Sequence, residues 1–148
     1  MTAVSESFLA EFKAKVDAQG ITRHLTLELE ELAPGYARVG MTCAPKMANI
    51  LGMVHGTAVF ALIDEAFQAA VNAYGTVAVA LNMNLTFHQA PKMGERLTAT
   101  TRELHAGRRT ASYLIEVADA QGGLVASCQA LAYRRGQPLP FGSEAEQE

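Results

Sequence analysis

The sequence has 148 residues, 49% of them apolar and 18% charged, a composition that fits one globular domain around one core. Its formal net charge of -3 excludes a general attraction to nucleic acid or to anionic membranes, so a phosphate-bearing ligand must meet a local basic cluster. The only two cysteines, Cys43 and Cys128, lie in separate apolar runs; they form neither a disulfide framework nor a metal set, and they fit a reducing compartment.

In chain order, Ser5 to Ala18 places Phe8, Leu9, Phe12 and Val16 on one helical face, and Gly20 supplies a stop. The N-terminal helix thus falls within residues 1–20. His24 to Glu31 alternates, with Leu25, Leu27 and Leu29 on one side, which predicts a half-buried strand. Pro34-Gly35 marks a turn, and Tyr36 to Cys43 is its antiparallel partner. A loop with Pro45, Asn49 and Gly52 leads to the longest helical candidate, His55 to Tyr74, ended by Gly75. Thr76 to His88 then opens with an unbroken apolar run, Val77 to Leu81, the pattern of a strand buried on both faces. Turns at Pro91–Gly94, Ala106-Gly107 and Gly122-Gly123 separate three further strands: Leu97–Leu104, Thr110–Ala118 and Leu124–Tyr133. One domain over residues 1–135 and a loose tail over 136–148 are expected. No basic-then-apolar leader opens the chain, and Asp64 and Glu65 interrupt its longest apolar helical stretch. A soluble cytoplasmic protein without a membrane span follows as the expectation.

A helix apolar almost all round must be buried on most sides, and a curved antiparallel sheet wrapped around it meets that need within one α+β domain. The same helix carries a polar stripe: Thr57, Ala61, Asp64, Glu65, Gln68 and Asn72 fall within roughly a 100° sector. A solvated edge is the plain explanation of such a stripe. Its narrowness, its small residues, and Asn49, Gly52, His55 and Gly56 just upstream fit a cleft better. The first N–H groups of the helix lack intrahelical partners, and Gly56 leaves its own unshielded, so an oxyanion forming on a carbonyl would find a donor there. Asp64 lies about 12 Å further along the axis, too far to act on a carbonyl held at the same helix start. Antiparallel central helices in a symmetric dimer would remove the difficulty.

The run from His55 through Phe67 resembles the signature of the phenylacetic acid degradation (PaaI-type) hotdog thioesterases. That signature is His-Gly-Gly, then Phe, with Asp nine residues after the His and Ala-Phe following. Asn49, Leu85-Thr86-Phe87, Pro91 to Glu95 and the Gly107-Arg108-Arg109 hairpin resemble the family as well. The resemblance implies a hotdog fold, a homodimer or homotetramer, and hydrolysis of acyl-CoA to free acid and CoA. It makes Asp64 the nucleophile or general base and Gly56 the backbone donor to the thioester oxygen. Asn49 would place the thioester or the attacking water, and His55 would support the loop or contact the acyl carbonyl. Two departures bear on the site: Thr57 stands at the family's second glycine and would narrow the cleft, and Ala80 stands where some relatives carry a water-orienting Ser. Glu65 is the rival carboxylate, with a helix-edge charge or a subunit salt bridge as its plainer role. Met53 and Gln68 are candidates to line the substrate site, and Arg108 and Arg109 to hold the phosphates of CoA. Four scattered histidines give no metal spacing, so no metal and no cofactor beyond substrate-borne CoA are expected. A hotdog hydratase or dehydratase and a non-hydrolytic acyl-CoA binder are the alternatives. The first would need a second base on the stripe.

Overall fold

The computed structural model describes residues 3–142. Helix α1 (Glu6–Ala18) begins at Ser5, whose Oγ accepts the Phe8 N–H at 3.2 Å, and it buries Phe12 and Val16. Gly20 is not a stop. It begins a short helix α2 (Gly20–Leu25), closed by Thr26 in the left-handed region at φ 53°. The strand expected from His24 therefore starts later, as β1 (Glu28–Ala33). Leu25, Leu27 and Leu29 are all buried, as their spacing demanded, but only Leu29 is buried from within a strand.

Strand β2 (Tyr36–Thr42) pairs with β1 across the Pro34-Gly35 turn. A single 3-10 turn (Pro45–Met47) and a loop then lead into α3 (Gly56–Asn72). Gly75, at φ 79°, follows the helix end, where its N–H bonds the Asn72 carbonyl at 3.0 Å. Four strands follow: β3 (Thr76–Phe87), β4 (Arg96–Ala106), β5 (Thr110–Ala118) and β6 (Leu124–Pro138). They join β1 and β2 in one antiparallel six-stranded sheet of order β1-β2-β4-β5-β6-β3.

The sheet curls around α3, whose Leu62, Ile63, Ala66 and Phe67 are almost wholly buried. Phe67 meets the ring of Tyr113 edge-on at 5.5 Å. The hydroxyls of Tyr113 and Tyr74 both donate to Glu103, at 2.7 and 2.9 Å, tying the end of α3 to β4 and β5. This is the α+β hotdog arrangement.

Two expectations fail here. The segment after Gly136 is not loose as far as it is described: Gly136 to Pro138 extend β6, Leu139 is buried, and the Phe141 ring packs edge-on against Phe12 at 5.7 Å. The remainder of that segment, 143–148, lies outside the described residues. The apolar run of β3 is not buried on both faces either. β3 is an edge strand, and Val79 and Leu81 are 42% and 55% exposed. Among the described residues no helix is long and apolar enough to cross a membrane.

Candidate active site

The start of α3 is organised by the two residues just before it. His55 is the N-cap: its Nδ1 accepts the Thr57 N–H at 3.0 Å, and its own N–H donates to the Met47 carbonyl at 2.7 Å. An imidazole that accepts at Nδ1 carries its proton on Nε2, so the outer nitrogen of His55 is a donor. The Ala58 N–H bonds back to the His55 carbonyl at 3.0 Å. Among the described residues the Gly56 N–H has no acceptor, and it sits in the positive field of the helix start. A Cβ at Gly56 would lie 3.1 Å from the tip of the Phe87 ring, so glycine here also permits the close approach of β3.

Asn49 shapes the loop before the helix. Its Oδ1 accepts the N–H groups of Leu51 and Met53 at 2.9 and 3.1 Å, and its backbone bonds Met53 and Gly52. Its side-chain oxygen is thereby committed to the loop, and only the amide nitrogen is left to face a ligand. The turn it builds lifts Ile50 and Leu51 into solvent and leaves Met53 exposed beside the helix start.

Asp64 lies on the exposed side of α3, with no ion pair or hydrogen bond among the described residues. One side of its carboxylate reaches solvent while the protein crowds the other, and that desolvation raises its pKa above the ordinary aspartate value. Its charge also reaches Cys128 on β6. There burial raises the thiol pKa most, the backbone at Asn84 lowers it, and Asp64 raises it further.

The neighbouring carboxylate has a different setting. Glu65 is 5% exposed, so it is not a helix-edge charge, and it makes no salt bridge among the described residues. The Gln19 amide donates to both of its oxygens at 3.1 and 3.0 Å, and Gln68 donates to one at 3.2 Å. Burial raises its pKa most, the Gln19 bond opposes this, and the charge of Asp64 adds to it. Gln68 also donates to Gln19 Oε1 at 3.0 Å, so its amide belongs to this network. Gln19 was not singled out from the sequence, and Phe87 only as part of a family-like strand. Gln19 touches α3 only because α1 folds back over it, which no local pattern announces.

The structure thus brings Asn49, Met53, His55, Gly56 and Thr57 together at one end of α3 and sets Asp64 and Gln68 along its exposed side. Gly56 and Asp64 are eight residues apart on one straight helix, about 12 Å along its axis, so one chain does not place donor and carboxylate on the same atom. Arg108 and Arg109 lie apart from both, exposed on the β4–β5 hairpin. Arg134 pins that hairpin, with its N–H on the Arg109 carbonyl at 2.7 Å and its guanidinium on the Gly107 carbonyl at 2.9 Å. Among the described residues the arginine ion pairs are made by Arg38, Arg96 and Arg102, none by these three.

A helix that carries a carboxylate and opens on a capped glycine, wrapped by one antiparallel sheet, defines the chain as a hotdog-fold enzyme. Residues 51–126 match the thioesterase superfamily. The acyl-coenzyme A thioesterase PaaI of Escherichia coli is 32% identical over 83% of this chain and 88% of its own length. Human acyl-coenzyme A thioesterase 13 is 28% identical over 85% of this chain and 93% of its own length. The solved structure of the E. coli PaaI protein superposes with a TM-score of 0.85, at 29% identity, over 92% of this chain and 99% of that one. The chain belongs to the thioesterase superfamily. Within it the chain is of the PaaI type, a thioester hydrolase with the acyl-CoA thioesterase activity of that family.

Proposed function

We propose that the protein hydrolyses acyl-CoA at two equivalent sites, each shared between the subunits of a homodimer. The separation of Gly56 from Asp64 along one helix carries this reading, because neither group can complete the site within its own chain. The open edge of β3 supplies the means. An antiparallel pairing of two β3 strands would cover Val79 and Leu81 and lay the two α3 helices antiparallel, with Asp64 of one subunit opposite the partner subunit's Gly56.

In that site the thioester oxygen accepts the Gly56 N–H, which stabilises the oxyanion as the carbonyl carbon becomes tetrahedral. The Asp64 carboxylate takes the proton of an attacking water, or attacks the carbon itself and is released by water afterwards. The carbon–sulfur bond then breaks, CoA leaves as the thiolate, and the acid departs as its carboxylate. The His55 Nε2–H and the Asn49 amide nitrogen are the further donors at this end of the helix. The reading uses no metal and no cofactor beyond the CoA of the substrate. The exposed guanidiniums of Arg108 and Arg109 meet its phosphates at the hairpin.

The test is thiol release from a panel of acyl-CoA substrates by wild type and by Asp64→Asn. The variant keeps the shape of the side chain and removes its charge, so kcat falls by about a hundredfold or more. Because the ionised carboxylate is the active form and its pKa is raised, wild-type kcat/KM falls toward acid with a midpoint above that of an ordinary aspartate. Near-normal turnover by Asp64→Asn, or an acid limb that Asp64→Asn leaves in place, overturns the assignment.

A further inference from the structure

A cavity of about 460 Å³ lies between α1, α3, the start of β3 and the segment after β6. Its apolar walls are Phe12 and Val16 of α1, Val77 of β3, and Leu139 and Phe141. Its walls are tied together. Phe8, Phe12 and Phe141 form a chain of rings with 5.7 Å between successive centroids, and Gly142 N–H donates to Glu11 at 3.0 Å. Leu139 N–H donates to the Gly75 carbonyl at 3.1 Å, which holds the same segment to the end of the central helix region.

The amides that line this space are already engaged. Gln19 and Gln68 are bonded to each other and to Glu65. Asn72 clamps the backbone of Ala78, accepting its N–H at 2.9 Å and donating to its carbonyl at 3.2 Å. A ligand inside would find mostly apolar contact, with the exposed Lys15 ammonium, 5.7 Å from the centre of the Phe141 ring, as the charged group on the lining. The volume lies in the lower part of the range of small-molecule sites, roughly 300–1,000 Å³.

Position connects the cavity to the chemistry. Gln68 lies one helical turn, about 6 Å, beyond Asp64 on the same side of α3. An antiparallel β3 pair would also bring the Phe87 end of the partner, against which Gly56 packs, toward the Val77 end of this strand.

We infer that this cavity receives the acyl group of the thioester, and that it selects an apolar chain of intermediate length over acetyl and over long chains. The inference rests on the acyl-CoA reading above and adds the residues that set the specificity. Most of the cavity's walls come from α1 and the segment after β6, outside the matched stretch 51–126.

The experiment compares kcat/KM for acetyl-, octanoyl- and palmitoyl-CoA in wild type, Val77→Trp and Phe141→Ala. Wild type favours octanoyl over acetyl by about tenfold or more. Val77→Trp fills the space and brings the octanoyl-to-acetyl ratio of kcat/KM down to about one. Phe141→Ala opens it and raises palmitoyl relative to octanoyl. Normal acetyl-CoA turnover with chain-length ratios unmoved in both variants overturns the inference and leaves the thioesterase reading standing. Affinity for the octyl thioether of CoA, measured against CoA alone, gives an answer that does not depend on turnover. Tighter binding of the thioether, weakened by Val77→Trp, supports the cavity even if no acyl-CoA is hydrolysed; equal affinities overturn it.

Discussion

The two edges of the sheet are built to opposite ends. The β1 edge is six residues long, bulged between Leu29 and Glu31, and faces solvent with Glu28, Glu30 and Glu31. Those carboxylates are stapled to the strands behind them: Arg38 holds Glu30 and Glu31 at 2.9 Å, and Arg96 holds Glu30 at 2.8 Å and Glu28 at 3.3 Å. The Arg96 guanidinium crosses directly over Gly40, where a Cβ would leave it no room. Shortness, a bulge and charge are the devices by which natural sheets keep an edge single. The β3 edge is bulged too, between Thr76 and Ala78 and between Ala80 and Asn82, but it is neither short nor charged. It is 12 residues long and shows Val79, Leu81 and Phe87 to solvent. One edge is guarded by charge and the other is apolar, and the apolar edge is the one whose Phe87 packs against Gly56 at the start of α3.

Breaking the apolar edge gives the largest expected effect. Leu81→Lys adds a desolvation cost to any β3–β3 pairing, while a residue 55% exposed in the single chain has little part in its folding. Light scattering at micromolar concentration should report a dimer or tetramer for wild type and a monomer for the variant. Thiol release by the monomer should fall by about a hundredfold or more, as for loss of the carboxylate itself. A monomeric Leu81→Lys protein with normal turnover would contradict the shared site.

Breaking the guarded edge should do little. Arg96→Ala removes exposed ion pairs worth about 1 kcal/mol or less, so thermal unfolding shifts by a few degrees at most. Oligomeric state and turnover should be unchanged. A change of assembly in Arg96→Ala would mean that β1, rather than β3, governs pairing.

The same contrast explains what the sequence made legible. Alternation and turn residues locate β2, β4, β5 and the start of β6 because each buries one face within its own chain. β3 misleads: Val77 to Leu81 have the composition of a strand covered by the chain's own core, yet Val79 and Leu81 are exposed at the sheet edge. The central helix and its caps were legible because Gly56 and Gly75 sit where helix geometry needs them. α2 was not, since six residues are too few to show a 3.6-residue period and Leu25, Leu27 and Leu29 imitate a strand. At the site, the stripe of α3 grouped Asp64 with Glu65 by angle, whereas the structure exposes the first and buries the second. Their separation into an exposed carboxylate and a buried one depends on Gln19, which arrives from 46 residues away. The segment after Gly136 looked loose because its anchor, Phe141 on Phe12, is likewise remote in sequence.

The central claim is that each site takes Asp64 from one subunit and the Gly56 N–H from the other, and subunit mixing tests it most directly. Gly56→Pro removes the donor and suits the first helical position after the extended backbone of His55, with the tip of the Phe87 ring, 3.1 Å from a Cβ there, giving way by a few tenths of an ångström. Asp64→Asn and Gly56→Pro are each purified as inactive protein, unfolded together in equal amounts and refolded. Half of the resulting dimers are then mixed, and each mixed dimer holds one intact site beside one doubly altered site. The account predicts recovery to roughly a quarter of wild-type activity, in proportion to that statistical share. No recovery above the separate variants, with mixed dimers demonstrated by mass, would place donor and carboxylate in one chain and contradict it.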